Sequence, residues 1–140
     1  MAQTFAAQVD AWVLKSKRRT DAVVKESTQR VMLEANSGVP IDTGFAQASF
    51  TATLNQPAAQ VTFRPPQPAS YQFDASAVAL VIAGMDVGSD VVYGVWTANY
   101  VIYLEYGSQG RAGVGFVRRA AQRWQTIVSE VTREAKARVR

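Results

Sequence analysis

One carboxylate stands out by its surroundings. Glu105 is the single acid in Asn99-Tyr100-Val101-Ile102-Tyr103-Leu104-Glu105-Tyr106-Gly107-Ser108, a run dominated by aromatic and aliphatic side chains. A desolvated carboxyl group is a usable general acid or base, but left unpaired it costs several kcal/mol or gives up its charge. Glu105 therefore requires donors, either backbone N–H groups near Gly107 and Ser108 or an arginine from the C-terminal segment. Pinning a turn is its first expected role and a subunit contact the second; catalysis comes last.

Far upstream, Pro40-Ile41-Asp42-Thr43-Gly44 has the makings of another tight turn. Asp42 or Thr43 can accept from N–H groups one or two residues on, while Gly44 tolerates positive φ. The remaining acids of the middle segment, Asp74, Asp86 and Asp90, are spread out rather than clustered. The chain has no cysteine and no histidine, which removes disulfides, thiolate nucleophiles, Cys/His zinc sites and histidine general bases. Metal binding would fall to carboxylates, the chemistry of magnesium or calcium. No cofactor and no enzymatic activity are expected; a hydrolase built on Asp and Ser alone is the weakest functional option.

Two further patterns suggest ligands. Gly110, Gly113 and Gly115 have Gly-x-x-Gly-x-Gly spacing ahead of a helical pattern, yet no Walker lysine follows and no βαβ unit surrounds them. A flexible lead-in to the last helix is expected instead. Lys15-Ser16-Lys17-Arg18-Arg19 is the sharpest basic run. It could meet nucleic acid, but it lacks the interleaved aromatics of a single-strand platform, and a solvated helical face is the simpler expectation.

The elements that must position these residues follow from periodicity. Over residues 5–35, Phe5, Val9, Trp12, Ser16, Thr20, Val23, Ser27 and Val31 recur every three or four positions, with Val13, Val24 and Met32 widening the stripe. That spacing predicts an amphipathic helix, N-capped by Thr4 and stopped by a left-handed turn at Asn36-Ser37-Gly38. Such a helix is longer than a small domain is wide and should lie against something beyond it. Ala48, Phe50, Ala52 and Leu54 then alternate with Ser49, Thr51 and Thr53, the signature of a half-buried strand. Val61-Thr62-Phe63 is a possible partner strand, and Pro65-Pro66-Gln67-Pro68 reads as an extended surface loop.

Asp74 is placed to cap a short helix over 75–85, with a strand as the competing assignment because of its β-branched residues. Residues 91–97 read as the central strand, apolar on both faces. Over 114–139, Val117, Ala120, Ala121, Trp124, Ile127, Val128, Val131 and Ala135 repeat at helical spacing, and Arg118, Arg119 and Arg123 fall off that stripe to make a basic back. Trp12, Trp96 and Trp124 are assigned to buried faces, although an exposed Trp12 would mark an interface. The result is an α+β fold with a small, mainly antiparallel sheet packed with two long terminal helices and one short middle helix. A single domain spans 1–140, divided as 1–36, 37–113 and 114–140.

Charge is unevenly distributed. The net is +4 over 140 residues, but residues 1–36 carry +2, residues 37–110 carry −4 and residues 111–140 carry +6. Basic ends and an acidic middle suit pairing between neighbouring subunits, or contact with a polyanion such as DNA. No apolar run is long enough for a membrane span, and the N-terminus lacks the basic-then-apolar order of a secretory signal. A soluble protein made in the cytoplasm is expected.

A long helix, then Pro-hydrophobic-Asp-Thr-Gly leading into a strand, then a strand followed by Asn-Tyr-x-x-x-Leu-Glu-Tyr-Gly-Ser, then a C-terminal helix: this ordered set resembles the head–tail joining, or tail-completion, proteins of tailed bacteriophages. The matching stretches are 40–44, 99–108 and 113–128. The resemblance implies a structural neck protein of the virion, made in the bacterial host cytoplasm. It would complete the tail end as a homo-oligomeric ring, sixfold or twelvefold, around the DNA channel. Its partners would be adjoining neck and tail proteins, with non-specific contact to packaged DNA and none to membrane. Asp42, Thr43, Gly44, Tyr100, Leu104, Glu105, Tyr106, Gly107 and Ser108 become turn or interface candidates. Lys15, Lys17, Arg18, Arg19, Arg118, Arg119 and Arg123 become the basic face. A nucleic-acid-binding module using the basic helices is the alternative.

Overall fold

A computed structural model describes residues 4–41, 44–60 and 71–138. Helix α1 spans Phe5–Ser37, 33 residues, or about 50 Å at 1.5 Å per residue. Thr4 caps it as the sequence predicts, its Oγ1 accepting from the Ala7 N–H at 3.2 Å. The stop is different from the one expected. Gly38 has φ −83°, right-handed, and its N–H donates to the Ala35 and Asn36 carbonyls. Glycine is required there for a close approach instead: a Cβ would lie 2.8 Å from the Phe116 Cβ.

A four-residue helix, α2 (Phe45–Ala48), precedes strand β1 (Phe50–Leu54), so Ala48 is helical and the strand begins two residues later than the alternation suggested. Within β1 the alternation holds, with Phe50 and Ala52 buried and Thr51 and Thr53 partly open. Helix α3 (Ala75–Ala83) settles the helix-or-strand question. The Asp74 carboxylate accepts from the Ser76 N–H at 3.0 Å, and that cap outweighs the β-branched run. Strand β2 (Val92–Trp96) pairs antiparallel with β1, Phe50 opposite Trp96 and Ala52 opposite Gly94. Among the described residues β1 is its only partner, and Tyr93 and Gly94 are exposed, so no second neighbour is seen for the strand expected to be central. Apolar composition identified a strand without fixing how many neighbours it has. Val61-Thr62-Phe63 and the Pro65–Pro68 segment lie outside the described residues.

Short elements follow: α4 (Val101–Tyr106), and a small hairpin of β3 (Gly107–Ser108) and β4 (Arg111–Ala112). The last helix, expected to be continuous over 114–139, is two: α5 (Phe116–Gln122) and α6 (Trp124–Arg138). Arg123 has φ −87° and ψ 1° and closes a tight turn, its N–H on the Ala120 carbonyl at 3.1 Å. No proline or glycine marks the break, and the apolar period runs through it. The break lets α5 seat Phe116 against Gly38 while α6 runs antiparallel along α1, as the Arg30–Glu134 and Arg123–Glu34 ion pairs record. Among the described residues no helix is long and apolar enough to cross a membrane.

Two clusters form the core. One gathers Phe50, Ala52, Val78, Ile82 and Met85; the other Val39, Ala46, Ala98, Val101 and Phe116. Trp96 packs against both, its ring 4.9 Å from Phe50 and 5.3 Å from Phe116 between centroids. Trp96 is thus the tryptophan that does go inside; Trp12 and Trp124 are exposed. Its indole N–H donates to the buried Asn36 Oδ1 at 2.9 Å. Asn36 also exchanges two 3.1 Å bonds with Gln47, so one side chain ties α1, α2 and β2 together. Asn36→Ala leaves the indole N–H and the Gln47 carbonyl without these partners. The expected cost is about 2 kcal/mol, read as a lower urea midpoint with unchanged slope.

Candidate functional site

The Glu105 carboxylate is 4% exposed and does have partners. It projects from α4 onto the first turn of α5. Its Oε2 accepts from the Val117 N–H at 3.0 Å, and its Oε1 accepts from the Arg118 N–H at 3.2 Å and Nε at 3.0 Å. Arg118 also donates to the Glu105 carbonyl at 2.9 Å and lies over the Tyr106 ring at 5.1 Å. Of the two donor sources expected, an arginine from the C-terminal segment is present. The backbone donors belong to α5, however, not to Gly107 and Ser108. Burial pushes the Glu105 carboxyl up, but the Val117 and Arg118 N–H groups and the Arg118 guanidinium outweigh it and hold it below the ordinary carboxylate range.

The glycines around this acid are constrained rather than loose. Gly107 has φ 94° and ψ 162°, and a Cβ there would collide with the Arg111 carbonyl. A Cβ on Gly113 would strike the Glu105 carbonyl. Gln109 and Gly110 have φ 51° and 78°, forming the two-residue turn of the hairpin. The expected flexible lead-in is therefore a tight hairpin folded onto α4. The Gly-rich segment is not an anion loop either, because the chain's own carboxylate already occupies the α5 N–H groups.

The other candidates separate by location. Gly44 has φ 86° and its Cβ position is filled by the Tyr71 carbonyl, whereas Asp42 and Thr43 lie outside the described residues. Tyr100 precedes α4 with its ring against Phe45 at 6.3 Å, and Leu104 packs on the second core cluster. Tyr106 and Ser108 are exposed. Arg118 and Arg123 are not a free basic face, since they pair with Glu105 and Glu34; Arg119 is exposed.

Lys15, Lys17, Arg18 and Arg19 are exposed on α1. Three of them, Lys15, Arg18 and Arg19, meet Lys136 and Arg138 of α6 around a groove of about 820 Å³ whose walls include Val23, Val24, Val128 and Ala135. Sequence reasoning missed this groove, although the basic charge at both chain ends was its one visible signal. N-terminal to it, α1 continues alone. Residues 5–15 are all exposed, with Phe5 at 80% and Trp12 at 69%. These lie on the helical face that further along carries the fully buried Ser27. Among the described residues no three His, Cys, Asp or Glu side chains converge as a metal site. Comparison with protein-family models, with curated proteins and with solved structures returned no match.

Proposed function

We propose that this chain is a structural subunit of a tailed-phage virion. It would complete the tail end or neck and join head to tail as a homo-oligomeric ring, sixfold or twelvefold, around the DNA channel. The observation that carries this is the overhang of α1. Phe5, Val9, Trp12 and Val13 are exposed on a helix whose same face is packed once it reaches α6, and an apolar stripe left in water is an interface awaiting its partner. The ordered motifs at 40–44 and 99–108 support the choice of family. Glu105 and its glycines supply a rigid hairpin corner, which assembly needs and chemistry does not.

Negative-stain images of the purified protein should show closed rings, with a solution mass that is a multiple of 15.2 kDa. A chain that stays monomeric at every concentration and salt level, or that turns over a metabolite, would overturn the proposal. Nucleic-acid binding is favoured by one observation, the convergence of Lys15, Arg18, Arg19, Lys136 and Arg138. It predicts DNA retention at low salt that falls steeply as salt rises; no retention at low salt removes it.

A further inference from the structure

We infer that the α1–α6 groove is the receptor for the α1 overhang of a second copy of this chain. This rests on the chain being a self-assembling subunit and names the surfaces it would use. A groove between two antiparallel helices takes a third helix, which reads as anchors at i, i+4 and i+7. Phe5, Val9 and Trp12 stand at those positions and are exposed, with Val13 beside them. The groove offers Val23, Val24, Val128 and Ala135 as apolar walls.

Charge and length agree. Residues 5–14 carry one charged side chain, the carboxylate of Asp10, while the groove is lined by no acid and rimmed by five cations, of which only Arg138 faces carboxylates of its own chain, Glu26 and Glu134. The ten-residue overhang is about 15 Å long at helical rise, and the groove follows α1 from Lys15 to Val24, an equal number of residues. The overhang and groove adjoin on one unbroken helix, so a copy cannot fill its own groove. The contact is between copies, and repeated head to tail it closes a ring or propagates. Phe5 and Trp12 together hide roughly 300–500 Å². With the groove walls the contact approaches the lower limit of specific interfaces, about 1,200 Å² in total, so assembly should depend on concentration.

Two full-length variants test this, both at exposed positions that leave the core intact. Trp12→Lys spoils the overhang by placing a cation against a cationic rim, and Ala22→Arg blocks the groove. Sedimentation velocity should show wild type assembling beyond the dimer, and each variant alone raising the assembly midpoint by about 30-fold, as loss of a central Trp anchor does. An equimolar mixture of the two should recover a single 1:1 heterodimer and go no further, because one intact overhang meets one intact groove. If both variants assemble like wild type, the groove assignment falls while the self-assembling subunit stands. If each variant is monomeric but the mixture forms no heterodimer, the pairing is overturned. A wild type that stops at a dimer abolished by either substitution keeps the docking, as a reciprocal exchange, and removes the ring. A wild type that is monomeric throughout removes both.

Discussion

Glu105→Ala will destabilise the fold by about 3 kcal/mol, a loss of roughly 10 °C in melting temperature for a chain of this size. The substitution leaves the Val117 and Arg118 N–H groups without their carboxylate acceptor, and three charge-assisted hydrogen bonds to one carboxylate are lost together, with the partly open site letting water replace some of them. The guanidinium contributes less, because the Arg118 side chain is 56% exposed and its attraction is screened. Glu105→Gln is milder at neutral pH and exposes the linkage. The native carboxyl is held below its unfolded value of about 4.3, so its stabilisation is complete above that value and is lost as pH falls through the depressed native one. The gap between wild type and Glu105→Gln should therefore be constant at neutral pH and narrow steadily below about pH 4.3. Asp74, Asp90 and Glu134 are also held low, which is why the difference between the two proteins, not the acid denaturation of either, is the quantity to measure. A gap that does not change with pH would show that the Glu105 carboxyl titrates alike in the native and unfolded chain, and so is not held low by the fold.

The second large effect is at Gly107. Alanine there must occupy φ 94°, ψ 162°, a region open essentially to glycine alone and worth about 1–3 kcal/mol of strain. The added Cβ would also collide with the Arg111 carbonyl and lie 2.8 Å from the Gly113 nitrogen. Both obstacles are backbone, so no side chain can swing aside. Gly107→Ala should cost about 4 kcal/mol in total and open the β3–β4 hairpin, seen as rapid amide exchange at Val114, whose N–H donates to Leu104 at 2.8 Å. Gly110→Ala is the control. Its φ of 78° is also positive, but nothing lies within 4 Å of its Cβ position, and about 1 kcal/mol is expected. Equal losses at the two sites would refute the close-approach account.

Much of this architecture was legible because local physics decides it. Apolar spacing and the Thr4 hydroxyl locate α1, alternation locates β1, and the Asp74 carboxylate picks helix over strand for α3. That Glu105 needs donors was legible for the same reason, with an arginine from the C-terminal segment as one of two sources offered: a desolvated charge calls for partners. What escaped depends on distant contacts. Gly38 looks like a left-handed stop until Phe116 is placed against it. The break at Arg123 has no breaker residue and exists because α5 and α6 pack on different parts of α1. The groove joins cations more than a hundred positions apart, and no pattern within a short window foretells that.

The single indole shared by the two core clusters has a mechanical meaning. Trp96 is a rivet through a seam, touching Phe50 on one side and Phe116 on the other while Asn36 holds its rim. The two halves of the interior are thereby fastened to each other and, through Asn36, to the C-terminal end of α1. Loosening either half should therefore loosen the other.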